Sequence, residues 1–360
     1  MSAVQAAQPA ARRAETVQRR SAPVAVWAAV GAGFLVLQAW IYGSWLASGD
    51  LAAVGDGPTP VPGWMAATIR LFEVGSLVGF AAFVWFFLVR PWRRSGHLTL
   101  DGLFTLAFLT MFWQDPLMNF FSTWFTYNTS FIAVGSWAPH IPGWFSPQGN
   151  NLPQAVTMFL PAYAYGMFGQ VLLAGVLLRR IERRWPGISR VRLVALCWAT
   201  LIVADVIIEI IAIRCGLWAF PGAIRELSLF AGTRHQFPMY EAVTLAGFIT
   251  AVTVVRHFRD DQGRTAVERG VDHLGGSTRQ QTGRRFLALV GFCNVAYLAY
   301  NLSFSLFGLY GDPWVEGVKS RSYLTDGFCG PGTTYACPEP RLPLARRGSL
   351  HVDPQGRLVP

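Results

Sequence analysis

Seven apolar stretches of about twenty residues, separated by short Arg-bearing runs, dominate this chain and leave few folds open to it. They fall at about 22–46, 66–89, 100–120, 153–178, 191–213, 239–255 and 286–309. A helix needs about 20 such residues to cross roughly 30 Å of hydrocarbon. Of the 360 residues 52% are hydrophobic and 14% charged, and the charges sit between the stretches rather than within them. A soluble globular domain mixes the two. The expected fold is therefore all-α, a polytopic transmembrane bundle of about seven spans. The first stretch is too long for the apolar core of a signal peptide, about 7–15 residues, and no clean small-residue cleavage site follows it. It reads as an uncleaved span.

The formal charge of +10 is carried by Arg, apart from Lys319. These residues lie in runs at the ends of the apolar stretches, where they orient spans. A nucleic-acid surface needs basic residues spread over a folded face with interleaved aromatics, and none is evident. About 20 basic residues fall in the N-terminal segment and at 90–99, 179–192 and 256–285, none at 48–65 or 121–152, and about three at 214–237. The asymmetry predicts a cytoplasmic N-terminus and an extracytoplasmic C-terminus. Residues 1–21 read as a disordered cytoplasmic lead-in, 22–309 as the membrane domain, and 310–360 as a Gly- and Pro-rich tail outside. Loop 256–285 reads as polar and solvated. Cys329 and Cys337 can pair there in an oxidising compartment, with Cys215 as a rival partner.

Ionisable groups inside spans cost about 2.5–3.5 kcal/mol on the lenient insertion scale, so they usually face the bundle interior and serve a purpose. Those here are Glu73, Asp115, Asp205, Glu209 and Glu241. Asp205 and Glu209 are four residues apart and share one helix face. Two carboxyl groups in a low dielectric repel, so one holds a proton that it can donate. The plainer alternative is an ion pair with Arg70, Arg214 or Arg234. Glu73 is either a proton donor or a packing contact, and solvation explains Asp115 and Glu241 about equally well. His140 and His235, in outer loops, are candidate proton relays. Neither has a ligand partner at metal-binding spacing, and the chain has no GxGxxG, P-loop or HExxH. No metal and no cofactor is expected.

The segment 113–152, WQDPLMNFFSTWFTYNTSFIAVGSWAPHIPGWFSPQGNNL, has no basic residue, many aromatics, several Asn, and Pro and Gly that stop helices. It reads as an aromatic outer cap or a re-entrant loop, whose backbone must be satisfied by protein or water. Aromatic walls with a few amides suit an organic ligand, and an interfacial aromatic belt is the alternative. Within it, Asp115-Pro116, Asn119, Phe125-Thr126-Tyr127-Asn128, Gly135-Ser136-Trp137 and Ile141-Pro142-Gly143-Trp144 carry a signature. It resembles that of the avermectin-type spirocyclase family of actinobacterial integral membrane proteins, over roughly residues 65–310. The resemblance implies a membrane fold and secondary-metabolite chemistry: spiroketal closure on a polyketide, in some members with dehydration.

Such chemistry needs an acid, a base and a pocket that holds the chain folded. Asp115 is the first candidate for acid or base, followed by Glu73, Asp205 and Glu209. Asn119, Tyr127, Asn128, Trp137, His140, Trp144 and Glu241 are candidates for binding a hydrophobic small-molecule substrate. Asp115 before Pro116 can also simply end its span. A terpenoid or lipid cyclase would use the same acids on an alkene or epoxide. A lipid-binding protein or transporter would use them without turnover, although no second interrupted segment marks a transporter repeat.

Overall fold

The computed structural model describes residues 22–146, 148–325, 327–333, 335–337, 351–353 and 357–359. The expected lead-in, 1–21, lies outside them. Six helices are long and apolar enough to cross a membrane: α1 (Pro23–Ser48), α2 (Gly63–Ser95), α4 (Phe159–Arg184), α5 (Arg190–Arg214), α6 (Met239–His257) and α7 (Thr278–Gly308). A shorter apolar helix, α3 (Leu100–Leu109), makes the seventh element of the bundle.

Burial along α5 shows the inside-out pattern of a membrane helix. Leu193, Cys197, Leu201 and Asp205 recur every four residues on the buried stripe, while Leu196, Val203, Ile207 and Ile211 are exposed. The stripe places an acid inward and leaves aliphatic side chains for lipid.

Helix α7 is central and packs on α1, α3 and α6. Its crossing with α1 is backbone against backbone. A Cβ on Gly31 would meet the Leu287 carbonyl oxygen, and one on Gly291 would meet the Trp27 carbonyl oxygen. Small residues permit this approach, and without a hydrophobic drive between helices in lipid it is the main source of contact energy.

The third span departs from its expected 100–120. Helix α3 stops at Leu109, and Phe112–Asn119 continues as a 3₁₀ helix containing Pro116. Pro116 has no backbone donor and its ring disfavours the α conformation before it, so the ladder cannot run on. Asn294 of α7 anchors the 3₁₀ helix. Its Oδ1 accepts from Trp113 Nε1 at 2.9 Å and Gln114 Nε2 at 3.0 Å, and its Nδ2 donates to Thr110 Oγ1 at 3.0 Å.

Residues 120–146 and 148–158 form a folded cap stitched by two-residue strands. β1 (Thr126–Tyr127) pairs antiparallel with β4 (Trp218–Ala219), and β2 (Val134–Gly135) with β3 (Pro153–Gln154). A third pair, β5 (Ser228–Leu229) with β6 (Phe237–Pro238), shapes the α5–α6 connection. The stretch expected to begin a tail folds onto this cap and onto the connection between α1 and α2. Trp314 Nε1 donates to Thr123 O at 3.0 Å, Thr129 N to Tyr323 O at 3.0 Å, and Ser322 Oγ to Asp56 O at 2.7 Å. Cys329 and Cys337 are disulfide-bonded, and Cys215 is free. Loop 256–285 is likewise more ordered than its polarity suggests. Glu268 is fully buried and accepts from Arg285 Nε at 2.6 Å and Thr265 Oγ1 at 2.7 Å.

Candidate active site

The Pro116 break turns Asp115 into the protein, where it is 3% exposed. Its Oδ1 accepts from two phenols, Tyr163 Oη at 3.0 Å and Tyr127 Oη at 3.2 Å. Tyr163 comes from a π turn, Tyr163–Phe168, inside α4, and its oxygen lies 2.8 Å from that of Tyr297 on α7. Cap, α4 and α7 thus meet at one carboxyl group. Burial, and next the neighbouring Asp115 carboxylate, hold the Tyr127 hydroxyl well above the ordinary phenol range, so it stays a donor.

Both phenols fall on Oδ1, and Oδ2 receives no hydrogen bond from any described residue. Asp115 borders a cavity of about 10 Å³ between the 3₁₀ helix, Phe125–Tyr127 and Leu152–Gln154. That volume suits about one water. Thr126 and Gln154 belong to the same lining, and their Oγ1 and Oε1 are buried with no hydrogen-bond partner among the described residues. Buried polar atoms without a partner are rare enough to mark a place for a water or a ligand group.

A second acidic centre lies on α5 and α6. One carboxyl oxygen each of Asp205, Glu209 and Glu241 lie within 4.8 Å of one another. Trp218 Nε1 donates to Glu209 at 2.8 Å and Tyr300 Oη to Glu241 at 2.9 Å. Carboxyl oxygens packed so closely away from water need a shared proton or a cation between them. Arg214, one of the ion-pair partners weighed from the sequence, instead lies over the Phe230 ring at 4.9 Å. Aromatic rings join the two centres: Tyr127 stands 4.1 Å from Phe159, Phe159 stands 5.7 Å from Trp218, and Tyr297 stacks on Tyr300 at 5.4 Å.

The other candidates build the cap. Asn119 brackets a turn, accepting from Trp124 N and Phe125 N at 3.1 Å and donating to Phe125 O at 2.9 Å. Asn128 donates to Gly216 O at 2.8 Å and accepts from Ser130 N at 3.0 Å. Trp137 and Trp144 are buried, with indole N–H groups on Trp113 O and Ser146 O, each at 2.7 Å. The amide and indole groups expected to meet a substrate are thus spent on backbone. His140 pairs with Asp50 at 2.9 Å and takes no part in the Asp115 network.

Glu73 also belongs to the cap. It pairs with Arg70 and accepts from Ile132 N at 2.6 Å and Thr157 Oγ1 at 2.7 Å, while Arg70 reaches on to the Ser130 carbonyl. Glu73→Ala strands both cap donors. The expected cost is on the order of 1–3 kcal/mol, read as faster proteolysis within 121–157; a cleavage rate equal to wild type would refute this role.

Sequence reasoning missed Tyr163, Tyr297 and Asn294, because a Tyr or Asn within an apolar stretch carries no spacing signal. The fold and this geometry define a polytopic helical membrane protein with an enclosed carboxyl–tyrosine centre. The chain belongs to the family described as Spirocyclase AveC-like, which matches residues 92–323, well over half its length. No curated protein and no solved structure matches the chain.

Proposed function

We propose that the chain is a membrane cyclase that closes a spiroketal on a hydrophobic, polyketide-like dihydroxy ketone, with Asp115 as its acid–base group. The observation that carries this reading is the split between the two Asp115 oxygens. Oδ1 is fixed by Tyr163 and Tyr127, Oδ2 takes no hydrogen bond from a described residue, and Asp115 lines the cavity.

One carboxyl group suffices for the proton balance. Protonated Oδ2 gives its proton to the hemiketal hydroxyl, the C–O bond breaks and water leaves. The remaining hydroxyl attacks the oxocarbenium carbon, a new C–O bond forms, and its proton returns to Oδ2. The phenols stabilise the carboxylate in between, as charge-assisted donors do. A site that holds one water does not hold a polyketide, which needs several hundred Å³. Substrate access therefore requires the Phe125–Tyr127 and Leu152–Gln154 segments to part. The Arg distribution and the Cys329–Cys337 disulfide support an extracytoplasmic cap and C-terminus with a cytoplasmic N-terminus.

The second acidic centre favours one rival reading, a terpenoid or lipid cyclase in which Asp205, Glu209 and Glu241 protonate an alkene or epoxide among aromatic rings. Wild-type membranes incubated with hydroxy ketones and with prenylated substrates separate the two. Loss of one water with a spiroketal carbon in the NMR spectrum supports the first; isomerisation of a prenylated substrate without loss of water supports the second. Tyr163→Phe is expected to lower spiroketal formation by about 10–100-fold, and unchanged turnover would remove the phenol from the mechanism.

A further inference from the structure

We infer that the turn between α4 and α5 is a binding site for one anionic phospholipid, with its phosphate between Arg184 and Arg192 and an acyl chain along α5. A cavity of about 810 Å³ opens there, lined by Arg184, Trp185, Ile188, Arg192, Leu196 and Ala199 among others. Its two charged groups stand at one end. Its long wall is apolar, with Arg192, Leu196 and Ala199 spaced so that they lie on one face of α5. A cationic mouth over an apolar slot at a helix end fits a diacyl lipid with a negative headgroup.

The protein leaves the charge at this mouth uncompensated. Some basic residues on this side of the bundle have acidic partners, Arg256 with Asp101 at 2.8 Å, Arg264 with Asp272 at 2.7 Å, Arg285 with Glu268 at 2.6 Å and His257 with Glu182 at 3.1 Å. Others, Arg93, Arg94, Arg179 and Arg180 among them, have no such partner among the described residues and do not line this apolar cavity. Arg184 and Arg192 have no ion-pair partner among the described residues. Arg184 lies over the Trp185 ring at 5.9 Å, which holds its guanidinium beside the cavity without neutralising it. Basic pockets between helix ends attract anionic headgroups by about a factor of several per cation.

The test uses the full chain, solubilised from membranes and exchanged into mixed micelles holding equal phosphatidylglycerol and phosphatidylcholine. Lipid that stays with the protein through gel filtration is weighed by mass spectrometry. Wild type is expected to retain phosphatidylglycerol about tenfold over phosphatidylcholine, and free phosphate in millimolar excess is expected not to displace it. Arg184→Gln with Arg192→Gln should bring the ratio to parity, while Arg93→Gln with Arg94→Gln, at the end of α2, should leave it unchanged. Ala199→Phe, which fills the slot, should lower retention with the charges intact. Equal retention of both lipids by wild type overturns the site. Equal losses in the two Arg pairs, or full retention in Ala199→Phe, would show diffuse attraction instead of a seated lipid, and this too overturns it.

Discussion

Asp115→Asn is expected to reduce spiroketal formation by about 10²–10⁴-fold, the usual contribution of a general acid–base group, with little loss of folded protein. The amide is close to isosteric with the carboxyl group. Its Oδ1 can still accept from Tyr163 and Tyr127, so the contacts that hold cap, α4 and α7 together survive. What is lost is the atom that gives up and recovers a proton at the cavity. The measurement is a paired one: product formation by mass spectrometry, and thermal stability of the solubilised variant. Loss of activity with an unchanged melting curve assigns the chemistry to Asp115. Retained activity would overturn the assignment and move the chemistry to Asp205, Glu209 and Glu241. Glu241→Gln then becomes the decisive variant, because it removes one carboxyl group from that centre and keeps an acceptor for Tyr300.

The helical scaffold was legible in the sequence because lipid imposes it. A span must be long, apolar and helical, and the six long helices lie on the stretches that composition marks out. The third element was the least legible. Apolar residues run to Phe120, but Pro116 and the side chains anchored by Asn294 decide where the helix stops, and the Asn294 contacts join residues some 180 apart in the chain. The signature of the cap was visible, but the work of most of its members was not. Asn119, Asn128, Trp137 and Trp144 are the polar and aromatic residues of an organic-ligand pocket by type. In the fold they satisfy backbone groups of a segment that cannot be helical, which buried irregular chain requires. Much of the family signature therefore records how the cap is built, and only Asp115 and Tyr127 from it reach the carboxyl–tyrosine centre.

The same physics predicts opposite signs for one substitution at two neighbouring positions of α1. Gly33 has nothing near the site of a Cβ, and Gly33→Ala should stabilise the helix by up to about 0.5–1 kcal/mol, the propensity difference alone. Gly31 faces α7, where a methyl group would strike the Leu287 carbonyl, and Gly291→Ala would strike the Trp27 carbonyl from the other side. Backbone atoms cannot turn aside as a side chain does, so either substitution forces the two helices apart. The expected cost is about 1–3 kcal/mol or more, and α7 carries it onward, since it also bears Asn294, Tyr297 and Tyr300. Gly31→Ala and Gly291→Ala should therefore lower both the apparent melting temperature and turnover, whereas Gly33→Ala leaves turnover intact. Melting temperatures that rise in all three variants would mean that α1 and α7 do not cross in contact. The Asp115 centre would then lack the rigid wall on which the Tyr163–Tyr297 contact depends.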